Sequence, residues 1–161
     1  MALCAVLAGL AFAASLIGVA LAAGSSASVD SARNATLAEQ LAVTAQGRTL
    51  YSLTPETSSH LLCKSSECLH LWPPLTVPSR STRLKAGPGV DGHLGILRRS
   101  NGLLQVTLRG KPLYRFSGDK AKGQARGNGL ESFGGTWHAV TASTSASPAP
   151  ASQPSPPSYG Y

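Results

Sequence analysis

The sequence predicts an all-β fold: a compact single domain of two related β-meander units with approximate internal symmetry. Three observations carry that prediction. Leu104, Val106 and Leu108 alternate with Gln105 and Thr107, the period of a half-buried strand. The stretch Val43-Thr44-Ala45-Gln46-Gly47-Arg48-Thr49-Leu50-Tyr51-Ser52-Leu53-Thr54-Pro55-Glu56 aligns without gaps on a later one, Val106-Thr107-Leu108-Arg109-Gly110-Lys111-Pro112-Leu113-Tyr114-Arg115-Phe116-Ser117-Gly118-Asp119. No segment of the domain sustains an apolar period of 3.6, and Thr36 to Ala42 has room for one short helical turn at most. Seventeen glycines and eleven prolines suit many short strands.

The elements follow in order along the chain. Residues 1–24 form an apolar leader, with no charge from Ala2 to Gly24 and the small-x-small run Ala20-Leu21-Ala22 near its end. It reads as a signal peptide or, being long enough to cross a bilayer, as a membrane anchor. Cys4 sits near the start of that leader, whereas a lipidated cysteine belongs at its end. Residues 25–34 read as a polar linker, and residues 35–141 as the domain, with units at about 36–86 and 87–141. In the first unit Val43 to Leu53 is a hairpin. In the second, Leu94 to Phe116 is a three-stranded meander, its turns marked by Ser100-Asn101-Gly102 and Arg109-Gly110-Lys111. Thr136 to Val140 is a closing strand. Residues 142–161 carry no charge and hold five of the eleven prolines, the composition of a disordered Pro/Ser/Ala tail. Asn34-Ala35-Thr36 is a formal glycosylation sequon.

Fourteen Lys and Arg face seven Asp and Glu, for a net charge of +7. So few acids argue against chemistry built on paired carboxylates. The chain also lacks Gly-x-Ser-x-Gly and His-Glu-x-x-His, and Gly123 to Gly135 lacks the Gly-Lys-Ser/Thr ending of a phosphate loop. No enzyme is predicted and no cofactor. Between Arg80 and Arg126 eleven bases meet only Asp91 and Asp119. Such residues form a solvated face, whose functional version is attraction to envelope polyanions. Nucleic acid is not an expected partner, because export removes most targets and no binding motif interleaves the bases. A membrane contact is expected only through the N-terminal segment, if it is uncleaved.

Outside the leader the cysteines are Cys63 and Cys68. Along a straight strand their Cα atoms would stand about 16 Å apart, so pairing requires a curled loop. In an oxidising compartment a structural disulfide is the expectation. Adding His60 and His70 gives the alternative, His-x2-Cys-x4-Cys-x-His, whose thiolates and imidazoles suit zinc or copper, or a redox-active thiol pair. Tyr51, Tyr114, Phe116, Trp72 and Trp137 read as core pillars rather than an aromatic ligand platform. Asp119 and Glu56 read as turn acceptors for backbone N–H groups, with Glu56 the less important.

Together these pieces resemble a known family. Thr49-Leu50-Tyr51, Cys63 and Cys68 leading into Trp72-Pro73-Pro74-Leu75, Gly87 to Leu97 and Gln105-Val106-Thr107 are its first parts. Gly110 to Asp119, containing Tyr114-Arg115-Phe116-Ser117-Gly118-Asp119, and Gly134-Gly135-Thr136-Trp137 complete it. The chain resembles the bacterial secreted-repeat proteins, predicted lipoproteins with a Tyr-x-(Phe/Trp/Tyr)-x-x-Asp motif and no established function. Two departures stand out. The first copy, Tyr51-Ser52-Leu53-Thr54-Pro55-Glu56, alters the aromatic and the aspartate, and the leader lacks a terminal lipobox cysteine. The resemblance implies an extracytoplasmic module, secreted or associated with the cell envelope. The expected role is non-enzymatic binding or scaffolding, with envelope polyanions or an envelope protein as partner; the alternative is a metal-binding or thiol-redox envelope protein.

Overall fold

A computed structural model describes residues 26–143, and its first residues correct the linker assignment: Ser26–Asn34 is strand β1. Its run of serines, with Asp30 and Arg33, has the composition of a linker, but its backbone is hydrogen-bonded along both edges. Antiparallel pairing joins it to β2 (Glu39–Thr44), from Val29 opposite Thr44 to Asn34 opposite Glu39. Parallel pairing joins it to β5 (Arg83–Ala86), from Ser26 opposite Arg83 to Val29 opposite Ala86, once β3 (Tyr51–Thr54), α1 (Ser66–Leu71) and β4 (Thr76–Val77) have intervened. Ladder hydrogen bonds on two sides and the buried Val29 order a segment whose side chains alone would not.

The span Thr36–Ala42, with room for one short helical turn at most, forms no helix: a turn leads into β2, which occupies most of it. The one helix among the described residues is α1. Ser65 caps it, its Oγ accepting the Cys68 N–H at 3.2 Å, with Glu67 in the first turn and His70 in the last. Six residues are too few for a helical period to register in sequence.

The second half follows the predicted meander. β6 (Leu94–Arg98), β7 (Leu104–Leu108) and β8 (Lys111–Pro112) pair antiparallel in succession, and β4 flanks β7 on its other side. β9 (Glu131–Ser132) and β10 (Gly135–Ala139) complete the chain. β10 is the closing strand, and it pairs with β3 of the first half, Trp137 opposite Leu53. The described residues thus form three small sheets, ordered β2-β1-β5, β3-β10-β9 and β4-β7-β6 with β8 on β7. The domain extends beyond the predicted end: Ala142 is fully buried, and its N–H donates to the Gln40 carbonyl. The leader assigned to residues 1–24 and the tail from residue 144 onward lie outside the described residues.

Two clusters fill the core. One is aliphatic, built on Val29, Leu50, Val106, Leu108, Leu113 and Val140. The other is aromatic and holds Tyr51, Leu53, Trp72, Tyr114 and Trp137 with both cysteines. The aligned stretches make corresponding contacts around them. Gly47 and Gly110 both turn at positive φ, +76° and +74°, which an L side chain resists. Val140 N–H donates to Leu50 O, and Leu75 N–H to Leu113 O, both at 2.9 Å. Ala42 N–H donates to Val140 O, and Val106 N–H to Leu75 O, a likeness offset by one residue because Val106 aligns on Val43. Between the stretches, Tyr51 and Tyr114 exchange backbone hydrogen bonds of 2.8 and 2.9 Å.

Candidate functional site

The tyrosine–acid motif is a junction between the two halves. Tyr51 Oη donates to Asp119 Oδ2 at 2.6 Å, and the other oxygen of Asp119 accepts the Arg126 N–H at 3.0 Å. In the first half Glu56 Oε1 accepts the N–H groups of Leu62 and Cys63 at 2.8 and 3.1 Å. Asp119 therefore does accept a backbone hydrogen bond, but from a loop seven residues on and not within its own turn. Its second partner is the tyrosine of the other unit. Glu56 is as buried as Asp119, each 1 % exposed, so its longer side chain has not moved it to the margin.

Electrostatics at the two tyrosines follow from this exchange. Burial, then the bond to the Asp119 carboxylate, pushes the Tyr51 hydroxyl well above the usual 10.0. Tyr114 is pushed up by burial and by the charge of Glu56, against the pull of Arg99. The two acids differ in one respect. Glu56 Oε2 is buried without a hydrogen-bond partner, and the nearby Tyr114 Oη accepts from Arg99 Nη1 at 3.0 Å.

The aromatic residues pack around this junction. Trp72 and Trp137 stack with centroids 3.8 Å apart and planes 5° off parallel. Tyr51 meets Trp72 edge-on at 5.4 Å, and Tyr114 meets Trp137 likewise at 5.1 Å. Phe116 leans on Trp72 at 4.5 Å from a half-buried position. A Cβ at Gly127 would lie 2.7 Å from the Trp72 ring, so only glycine lets the loop approach that closely. The four Trp and Tyr rings are fully buried, as pillars are and a ligand platform is not.

Cys63 and Cys68 form a disulfide, with Cα atoms 5.5 Å apart. Cys63 lies in the irregular segment before α1 and Cys68 in its first turn, which supplies the curl that a straight strand lacks. The alternative metal set is not assembled: the sulfurs are joined to one another, and His60 and His70 are exposed. Among the described residues no three His, Cys, Asp or Glu side chains gather as metal ligands. Asn34 of the sequon is buried, its Nδ2 donating to Gly123 O at 2.8 Å, so the folded domain does not present it for glycosylation.

Arg99 departs from its expected place on the solvated basic face. It is buried, and its guanidinium donates to Gln105 Oε1, to the Tyr114 hydroxyl and to the Cys63 carbonyl. Arg99 follows directly on the end of β6, while Arg98, the last strand residue, is exposed.

The remaining bases include a group that the fold draws together. A cleft of about 540 Å³ is lined by Arg48, Arg115, Lys120 and Lys122 with Thr44, Gln46, Leu75 and Ala121, and no acid is among them. Arg48 comes from the turn between β2 and β3, Arg115 from the motif, and the lysines from the loop after Asp119. Backbone oxygens steady two of the cations. Arg48 Nη1 donates to Lys120 O at 3.4 Å, and Lys120 Nζ to Ser117 O at 2.7 Å. A neighbouring cleft of about 560 Å³ shares Thr44, Gln46 and Leu75 and adds Ser26, Ser28, Asp30 and Lys85.

Comparison with known families completes the description. A family model described as a secreted repeat of unknown function matches residues 95–141. Over those residues the chain is similar to a secreted repeat. The repeat runs from within β6 through β10 and contains Tyr114, Phe116, Asp119 and Trp137. It also supplies three of the four cleft cations, Arg115, Lys120 and Lys122. The match to a family of secreted repeats supports an extracytoplasmic location. A search of curated proteins and a search of solved structures returned no match. The stretch outside the matched repeat holds its partners: Tyr51 for Asp119, Trp72 for Trp137 and Glu56 for Tyr114.

Proposed function

We propose that the protein is an exported, non-enzymatic binding module that holds an anionic component of the cell envelope in the Arg48–Arg115–Lys120–Lys122 cleft. The cleft itself carries the proposal: four cations from three separate segments converge on one concavity that no carboxylate lines. Such an arrangement concentrates positive potential and attracts polyanions. The scaffold beneath it is two related units with approximate internal symmetry, a reading supported by their corresponding backbone hydrogen bonds. The acids fit a non-enzymatic role, because Glu56 and Asp119 are enclosed in the core and occupied with backbone N–H groups.

Fractionation tests the proposal. Exported protein mixed with isolated envelope should be retained at low ionic strength and released as salt approaches about 1 M, where the Debye length falls to about 3 Å. Arg115→Gln with Lys122→Gln should weaken retention. Retention that ignores both salt and these substitutions would refute the cleft as the binding site.

A further inference from the structure

Resting on that binding role, we infer the chemical class of the ligand: a linear polymer of phosphate groups threaded through the basic cleft. The cations come from three segments, two guanidinium groups and two ammonium groups lining one concavity. A guanidinium presents a rigid fork of donors, and an ammonium is a compact point charge with three. A planar carboxylate is well served by a single fork, whereas the tetrahedral oxygens of phosphate accept from several directions at once. Mixed forks and point charges from three segments therefore match phosphate better than carboxylate.

Shape favours a chain over a bilayer surface. The cations line a cleft that continues past Thr44, Gln46 and Leu75 into its neighbour, where Ser26 and Lys85 offer a hydroxyl and another cation, and where Asp30 is held by the Ser28 hydroxyl at 3.1 Å. A flat headgroup layer does not enter a concavity, but a single polymer strand does. Lys122 lays its stem over Gly47, where an added Cβ would come within 3.2 Å of Cγ and Cδ, and it lines the same cleft as Arg48 and Arg115.

The test is direct binding of inorganic polyphosphate to the exported protein, with polyglutamate of equal charge and anionic lipid vesicles as comparison ligands. Arg115→Gln/Lys122→Gln, both at exposed positions, should lower polyphosphate affinity about tenfold or more and flatten the salt dependence by about one unit of slope per cation removed. Arg33→Gln/Arg98→Gln removes the same charge from exposed positions outside the cleft and should change affinity less than about threefold. Thermal melts of both variants check that folding is intact, and Arg115→Lys should restore part of the loss. Equal losses in the two double variants would overturn the site. Polyglutamate binding as tightly as polyphosphate through Arg115 and Lys122 would overturn the phosphate class while leaving the anionic cleft standing. Tighter binding to vesicles would overturn the polymer in favour of a membrane, and no binding to any probe would remove both proposals.

Discussion

Tyr51 and Asp119 lie in different halves of the domain, yet the hydroxyl of one lies 2.6 Å from the carboxylate of the other, in a place closed to solvent. A buried hydrogen bond to a charged group contributes about 1.5–3 kcal/mol. Tyr51→Phe and Asp119→Ala should therefore each cost about that much. The double variant should cost clearly less than their sum, because the two share one interaction. Urea denaturation of the four proteins in the cycle measures this. The partnership was not legible in the sequence, where each motif looks self-contained and the expected partners of Asp119 are its own turn's N–H groups. Arg99 was missed for a related reason. Counting bases by region treats every arginine as solvated, while the inward course of this one is visible only once β6 and its following turn are placed.

Elements built on alternation and turn glycines were legible. The meander of β6, β7 and β8 and the closing strand β10 lie where Leu104–Leu108 and Thr136–Val140 put them. β1 was not, because its order comes from ladder hydrogen bonds on both edges, and β5 arrives only after half the domain has intervened. α1 was too short to show a period, but it has a clear use: it curls the chain so that the disulfide can close. A loop this small removes modest entropy from the unfolded chain, about 2 kcal/mol. Cys63→Ser/Cys68→Ser should lower stability by about that amount. His60→Ala and His70→Ala should change little, since both rings are exposed. Denaturation midpoints give the first comparison, and the intact mass of the wild type, two hydrogens short of the reduced chain, confirms the bridge.

At the scale of the whole molecule the cleft shows why its residues escaped the sequence. Arg48 stands in the first half, and only the pairing of the halves puts it beside Arg115, Lys120 and Lys122 of the second. The same pairing sets the response of the fold to alkali. Tyr51 and Tyr114 hold their protons in the fold well above 10.0, the value they take when the chain opens. Above that pH the folded state binds more protons than the unfolded one, so stability falls as pH rises; below it these groups contribute no slope. Denaturation midpoints should be flat with respect to tyrosine ionisation up to about pH 9 and decline above about pH 10, with a shallower decline in Tyr51→Phe.

The exchange of partners between halves also bears on how such a chain leaves a cell. An exported polypeptide emerges N-terminus first, and β3 then waits for β10, Tyr51 for Asp119 and Trp72 for Trp137. The sheet of β1, β2 and β5 can pair within the early part, but the aromatic cluster cannot close there, because Tyr114 and Trp137 come later in the chain. A chain whose aromatic core waits for its last strand is one that a narrow translocation pore can still pass.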